Sequence, residues 1–140
     1  MKRSGPIQRK TPLKPSQARM KSRRSTGKPT KAEAQRLDAM SRCACLACRM
    51  NRQLGWGATL MELETHHLLS GGRRVGHMHT VRLCHYHHQG KRLPGAHTSY
   101  RAAAAIFGPS LEREPRRFRE VYGMDADLLA IQNRMLREGA

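Results

Sequence analysis

Two donor pairs of matching length, Cys45-x-x-Cys48 and Cys84-x-x-His87, constrain this chain more than any other feature. Two thiolates at this spacing grip one ion from a tight knuckle, and a second close pair of nitrogen or sulfur donors completes a tetrahedral zinc site. Together the pairs form a Cys₃His set. A two-stranded hairpin stapled by such an ion can fold with little apolar core. That matters here, because aromatic residues make up only 4% of the chain, too few for a large aromatic core to be expected. Trp56 is read as a core filler, and Tyr86 is open to base stacking or to the core, the commoner place for such residues. Buried free thiols are the plain alternative for any of the cysteines, and Cys43 is a spare. A redox role for Cys45-x-x-Cys48 lacks a βαβ context. No transmembrane segment or secretory signal is expected, so the thiols are read as reduced and metal is favoured over disulfide.

The second constraint is charge. The 140 residues carry 27 Lys and Arg against 10 Asp and Glu, a formal net charge of +17. Self-repulsion on that scale opposes folding, and it points to a polyanionic partner. Nucleic acid is the first candidate. A membrane surface is the weaker one, since no basic amphipathic helix stands out. Residues 1–30 read as a disordered basic arm with no acid, carrying Lys2, Arg3, Arg9, Lys10, Lys14, Arg19, Lys21, Arg23 and Arg24. Such an arm binds phosphates by counterion release without reading sequence. A solubilising tail is the plainer alternative.

Order is expected from residue 31 to residue 140. Thr30-Lys31-Ala32-Glu33 matches a capping box and predicts a helix to about Met40. The segment after Cys48, with Gly55-Trp56-Gly57, reads as loop. Residues 59–65 alternate and read as a strand, Gly71-Gly72 as a turn, residues 80–83 as a returning strand and residues 85–92 as a short helix. The knuckle and this finger span 43–92. A helical part follows over 98–138, with an alanine-rich helix at 102–106, a cap at Ser110, a break or restart at Pro115 and a last helix capped by Asp125. The expected class is α+β.

All eight histidines fall between His66 and His97. His66-His67 closes the expected first strand. Adjacent strand residues face opposite sides, so both can serve one site only where the strand ends and the chain bends. Phosphodiester hydrolysis needs a base for water, a cation against the phosphate charge and positioning donors. A histidine can be the base, and a second can hold the cation. Arg73, Arg74, Arg82, Lys91 and Arg92 flank the cluster and read as phosphate contacts or, at even weight, as a solvated basic face. Arg113, Arg116, Arg117 and Arg119 form a second basic patch.

The run Glu62-Leu63-Glu64-Thr65-His66-His67, then Gly71-Gly72, then Thr80 through Gly90 with Leu83-Cys84 and His87-His88, resembles the HNH, or ββα-metal, nucleases. Within that superfamily the likeness is strongest to the RecA-dependent nucleases of phage recombination-enhancement (Ref) type. It rests further on Arg74-Val75-Gly76-His77, Gly108-Pro109-Ser110 and Phe118 through Tyr122-Gly123. The resemblance implies a ββα-metal finger, divalent-cation-dependent DNA cleavage with Mg²⁺ or Mn²⁺, and action on DNA in RecA filaments, in the cytoplasm of a bacterial host. Carried over by position, His67 is the general base, and His66 and His88 are ligands of the catalytic ion. His87 stands at the family's second cysteine, within the structural zinc site. The family asparagine that orients the base is replaced by His79, and His79 or His77 is expected to take its role. His85 is expected to be an exposed helix residue, and His97 is a minor candidate for a further metal contact. A monomer is expected. The competing readings are a second structural ion at His66, His67 and His88, a non-catalytic zinc-finger DNA-binding protein, and a RecA-accessory module.

Overall fold

In the computed structural model, which describes residues 26–139, Thr30 opens the first helix as its spacing to Glu33 demands. The Thr30 hydroxyl accepts from the Glu33 amide at 3.3 Å, and the Glu33 carboxylate accepts from the Thr30 amide at 2.8 Å. Two donors left orphaned by the helix start are thereby satisfied. This helix, α1, covers Lys31–Ser41. The nine arm residues from Lys2 to Arg24 named above lie outside the described residues.

The next element departs from expectation. The chain after Cys45 is not a knuckle running into loop but a helix, α2, over Leu46–Leu54. Cys45 sits at its N-cap without a side-chain cap bond, and Gly55 ends it in the left-handed conformation. Buried Asn51 then staples the following loop. Its amide donates to the Gly57 and Phe107 carbonyls, each at 2.8 Å, and its oxygen accepts from the Tyr122 hydroxyl at 2.7 Å.

Strand β1 is Leu63–His67, shifted from the expected 59–65. Thr59 is drawn out of strand geometry by sulfur: its hydroxyl donates to Cys84 Sγ at 2.9 Å and its amide to Cys48 Sγ at 3.4 Å. A miniature hairpin follows, β2 (Leu69–Ser70) and β3 (Arg73–Arg74). Its two-residue turn is Gly71-Gly72, both at positive φ, as the right-handed twist of a tight hairpin requires. Strand β4 (Thr80–Cys84) returns antiparallel to β1, with His67 opposite Thr80 and Leu63 opposite Cys84. Helix α3 (His85–Gln89) springs from its end, and Cys84 Sγ caps it by accepting from the His87 amide. Helices α4 (Tyr100–Phe107), α5 (Pro115–Tyr122) and α6 (Asp125–Arg137) complete the chain. Ser110 accepts from the Arg113 amide but caps only a turn, and the last helix is capped at Met124, whose amide donates to Asp127.

The described residues thus form a small α+β fold with six helices and two short antiparallel sheets. The outer edge of β4 is closed by side chains. The Arg82 amide donates to Gln132 Oε1 on α6 at 2.9 Å, and Arg36 on α1 donates to the Thr80 carbonyl at 3.2 Å. An edge strand left open would offer itself to another chain. The core lies between β4, α2, α5 and α6 and holds Leu46, Val81, Leu83, Phe118, Leu128 and Met135. Although aromatics are few, most of them gather here: Phe118 and Tyr122 pack at 4.7 Å between ring centres, Tyr86 and Phe107 at 5.8 Å. Gly108 sits among them at φ 79 and ψ −179, a conformation open essentially to glycine alone, and a Cβ there would fall 2.7 Å from Trp56. No helix among the described residues is long and apolar enough to cross a membrane.

Candidate metal centres

The turn from β4 into α3 brings Cys84 and His87 against Cys45 and Cys48 at the start of α2. All four are buried, and their ligand atoms lie within 4.8 Å of one another. His87 Nδ1 is 3.1 Å from Cys84 Sγ, 3.4 Å from Cys48 Sγ and 3.7 Å from Cys45 Sγ, while the Cys48 and Cys84 sulfurs are 4.0 Å apart. Tetrahedral zinc, with Zn–S about 2.3 Å and Zn–N about 2.0 Å, sets its donors roughly 3.5–3.8 Å apart. The set therefore fits a zinc ion with small adjustments. The other ring nitrogen, Nε2, donates to the Phe107 carbonyl at 2.8 Å, which fixes the ring with Nδ1 toward the sulfurs.

Electrostatics agree. Burial, reinforced by Cys48 and Cys84, pushes the Cys45 thiol well up. Hydrogen bonds from Cys45 and Cys84 pull Cys48 down. Protein groups alone stabilise one thiolate at its neighbour's expense, and a cation removes that conflict. Cys43 is buried but stands outside the set.

One residue further along α3, His88 turns the other way. Its Nδ1 donates to Glu64 Oε1 at 2.6 Å, so in the neutral ring Nε2 carries the lone pair. That Nε2 lies 2.9 Å from His66 Nδ1. Glu64 and His66 are two apart on β1 and share its face toward α3. Two ring nitrogens converging on a point, one backed by a carboxylate, match the way proteins orient histidine ligands for a metal. They leave the other coordination positions open, unlike the closed Cys₃His set. Burial, followed by the neighbouring His88, pushes His66 down to about 4, which keeps its ring neutral and able to ligate at neutral pH. Asp125 and Arg119, joined at 3.5 Å, also act on His66. Gln89 adds a 3.3 Å bond to the second Glu64 oxygen.

His67 is the last residue of β1, and the chain leaves the ladder only at Leu68. Its ring therefore leaves the strand on the side opposite to His66. Nε2 of His67 lies 3.2 Å from Nδ1 of His77, whose Nε2 donates to the Gly27 carbonyl at 2.9 Å. Burial, then Arg74 and His77, holds His67 below its ordinary value, which favours the neutral ring.

The other residues singled out by sequence are placed as follows. His77 rather than His79 meets the His67 ring; His79 is held through its backbone, its carbonyl accepting from the Leu68 amide and its amide donating to the Gly76 carbonyl. His85 is not an exposed helix residue. Its side chain is 19% exposed and lies 3.8 Å from Glu64 and 3.9 Å from Glu62. His97 is exposed. Arg73 and Arg74 are exposed on the miniature hairpin, and Lys91 and Arg92 beyond α3. Arg82 instead spans the sheet to Thr65 at 3.2 Å. Sequence reasoning gave Glu64 no role, although strand periodicity places it on the face of His66. Residues 29–137 match the family described as recombination enhancement, RecA-dependent nuclease. No curated protein and no solved structure matches the chain.

Proposed function

Because the chain belongs to the recombination-enhancement, RecA-dependent nuclease family, we propose that it is an HNH-type endonuclease that hydrolyses DNA with a divalent ion held by His66 and His88. The observation that carries this reading is the Glu64–His88–His66 alignment; the role of His67 rests on its position in the family motif, since its ring leaves β1 on the opposite side. A non-catalytic zinc finger needs only the Cys₃His set and leaves that alignment without work.

In this account Cys45, Cys48, Cys84 and His87 hold structural zinc, and His66 and His88 hold Mg²⁺ or Mn²⁺. The bound ion supplies positive charge for the scissile phosphate and the departing oxygen. His67 takes a proton from water as the water oxygen attacks phosphorus and the P–O bond to the leaving oxygen breaks. Glu64 keeps the His88 ring aimed. Arg73, Arg74, Lys91 and Arg92 contact backbone phosphates, and the basic segment 1–30, with Lys2, Arg3, Arg9, Lys10, Lys14, Arg19, Lys21, Arg23 and Arg24, supplies affinity without sequence reading. The substrate is DNA held in a RecA filament, which places the protein in the cytoplasm of a bacterial host, as a phage-derived recombination function.

The test is cleavage of single- and double-stranded DNA with Mg²⁺ or Mn²⁺, with and without RecA and ATP. Cutting that needs the divalent ion and rises with the filament is expected. Tight DNA binding with no cutting under any of these conditions would establish the binding-protein alternative.

A further inference from the structure

The fold divides the second basic patch. The Arg116 side chain is 93% exposed and pairs with Glu120 at 2.9 Å, and Arg119 pairs with Asp125 at 3.5 Å. Arg113 and Arg117 instead meet Arg101 of α4 around an open cleft of about 500 Å³ between α4 and α5, completed by Tyr100, Ala104 and Glu114. Three guanidinium groups share one carboxylate there, and that carboxylate is already engaged. Glu114 Oε1 accepts from Arg117 at 3.2 Å, and Oε2 accepts from the Tyr100 hydroxyl at 2.7 Å. Arg101 and Arg113 have no salt-bridge partner among the described residues. Like charges gathered in one cleft repel one another, and an anion relieves that.

Arg113 is held in place for such a role. Its guanidinium lies 5.8 Å from the centre of the Tyr100 ring. Its stem packs on Gly90, where a Cβ would meet Arg113 and the Ser110 hydroxyl. The cleft is no nest for a small enclosed anion, because the amides of its rim are taken. The Ser110 amide donates to the Tyr100 hydroxyl, and the Leu111 and Glu112 amides to the His87 and His88 carbonyls. The Arg113 amide donates to the Ser110 hydroxyl and the Glu114 amide to the Ser110 carbonyl. Pro115 has no amide hydrogen. Side-chain charge alone remains, which suits a phosphate backbone contacted without reading of bases. Helix α3 stands between this cleft and the candidate centre. On one side Tyr86 stacks on Tyr100 at 6.1 Å between ring centres, and on the other His85 and His88 face Glu64.

We propose that Arg101, Arg113 and Arg117 form a second DNA-backbone site, which holds phosphates away from the one being cut. The inference rests on the reading of DNA as the substrate, and it gives the C-terminal helices a part in binding. The cleft supplies affinity and not chemistry, so its loss raises KM and leaves kcat alone.

The test compares two zinc-loaded triple variants of equal net charge, Arg101→Gln/Arg113→Gln/Arg117→Gln in the cleft and Arg42→Gln/Arg52→Gln/Arg116→Gln outside it. Binding to a DNA duplex is titrated with salt in the absence of Mg²⁺ and Mn²⁺. The slope of log K against log salt is expected to fall by about 2.7 in the cleft variant, at about 0.9 for each phosphate contact, and to stay at the full-chain value in the other. Arg101→Gln/Arg117→Gln, which spares the packing of Arg113 on Gly90, should lower it by about 1.8. Circular dichroism checks that each variant is folded. An unchanged slope in the cleft variants, or an equal fall in the outside variant, overturns the site. A fall in kcat at saturating DNA would bring these arginines to the scissile phosphate and overturn the separation. An unchanged slope with loss of filament-stimulated cleavage would assign the cleft to a protein partner, against the proposal. If the full chain cuts nothing with any divalent ion, the nuclease reading fails, and the salt titration still decides whether the cleft binds DNA.

Discussion

His87 and His88, neighbours on α3, present their rings to two different donor sets: His87 Nδ1 lies among three sulfurs, and His88 Nε2 faces His66 Nδ1 at 2.9 Å. One helical turn thus contributes both to the buried Cys₃His set and to the candidate catalytic centre. Anything that displaces α3 disturbs both, so the two functions must be separated by single side chains.

The first separation concerns the staple. Because the Cys₃His set ties α2 to the β4–α3 junction, His87→Ala or strong chelation should release one equivalent of zinc and unfold the domain. Structural zinc contributes on the order of 10 kcal/mol or more to the folding of small zinc domains. Metal analysis with circular dichroism checks this. Retention of helical signal after complete zinc loss would show that the aromatic cluster suffices alone.

Glu64→Gln is expected to leave the fold intact and weaken the catalytic ion. The neutral amide still meets His88 Nδ1 but polarises it less, and changes to such supporting groups cost roughly 10–100-fold in metal affinity or activity. The Mg²⁺ or Mn²⁺ midpoint of cleavage should rise accordingly while zinc content stays at one equivalent.

Gly108→Ala tests the packing. The φ of 79 and ψ of −179 put this residue in a region other residues rarely enter, and the new methyl group meets the Trp56 ring. A loss of about 1–3 kcal/mol from backbone strain alone is expected, read from denaturant midpoints of the zinc-loaded protein.

Arg73→Ala and Arg74→Ala should each reduce the salt dependence of duplex binding. The slope of log K against log salt falls by about 0.9 for each phosphate contact removed. An unchanged slope would assign these arginines to a solvated face.

Much of this arrangement was legible in the sequence because it is local or periodic. The capping box at Thr30 and Glu33, the Gly71-Gly72 turn, the β4 strand and the Cys₃His spacing all rest on short-range rules. Helix α2 escaped because Cys45 is a poor N-cap by its own side chain, and Cys-x-x-Cys suggested a knuckle rather than a helix start. The Gly55 stop was the signal available. Strand β1 was shifted because Thr59 bonds to sulfur across the fold, a tertiary effect that alternation cannot register. At the candidate site, the roles proposed for His66, His67 and His88 come from their position in the family motif. Their partners Glu64 and His77 depend on which faces meet. His77 rather than His79 reaches His67 because the loop 75–79 is pinned through the His79 backbone, a detail set by three-dimensional closure.

The most direct measurement is plasmid nicking by His67→Ala alongside wild type, in Mg²⁺ or Mn²⁺, with duplex binding and zinc content measured on the same preparations. The account predicts loss of cleavage by 10²-fold or more, with DNA affinity and one equivalent of zinc retained. Wild-type nicking by a zinc-loaded His67→Ala protein would contradict it.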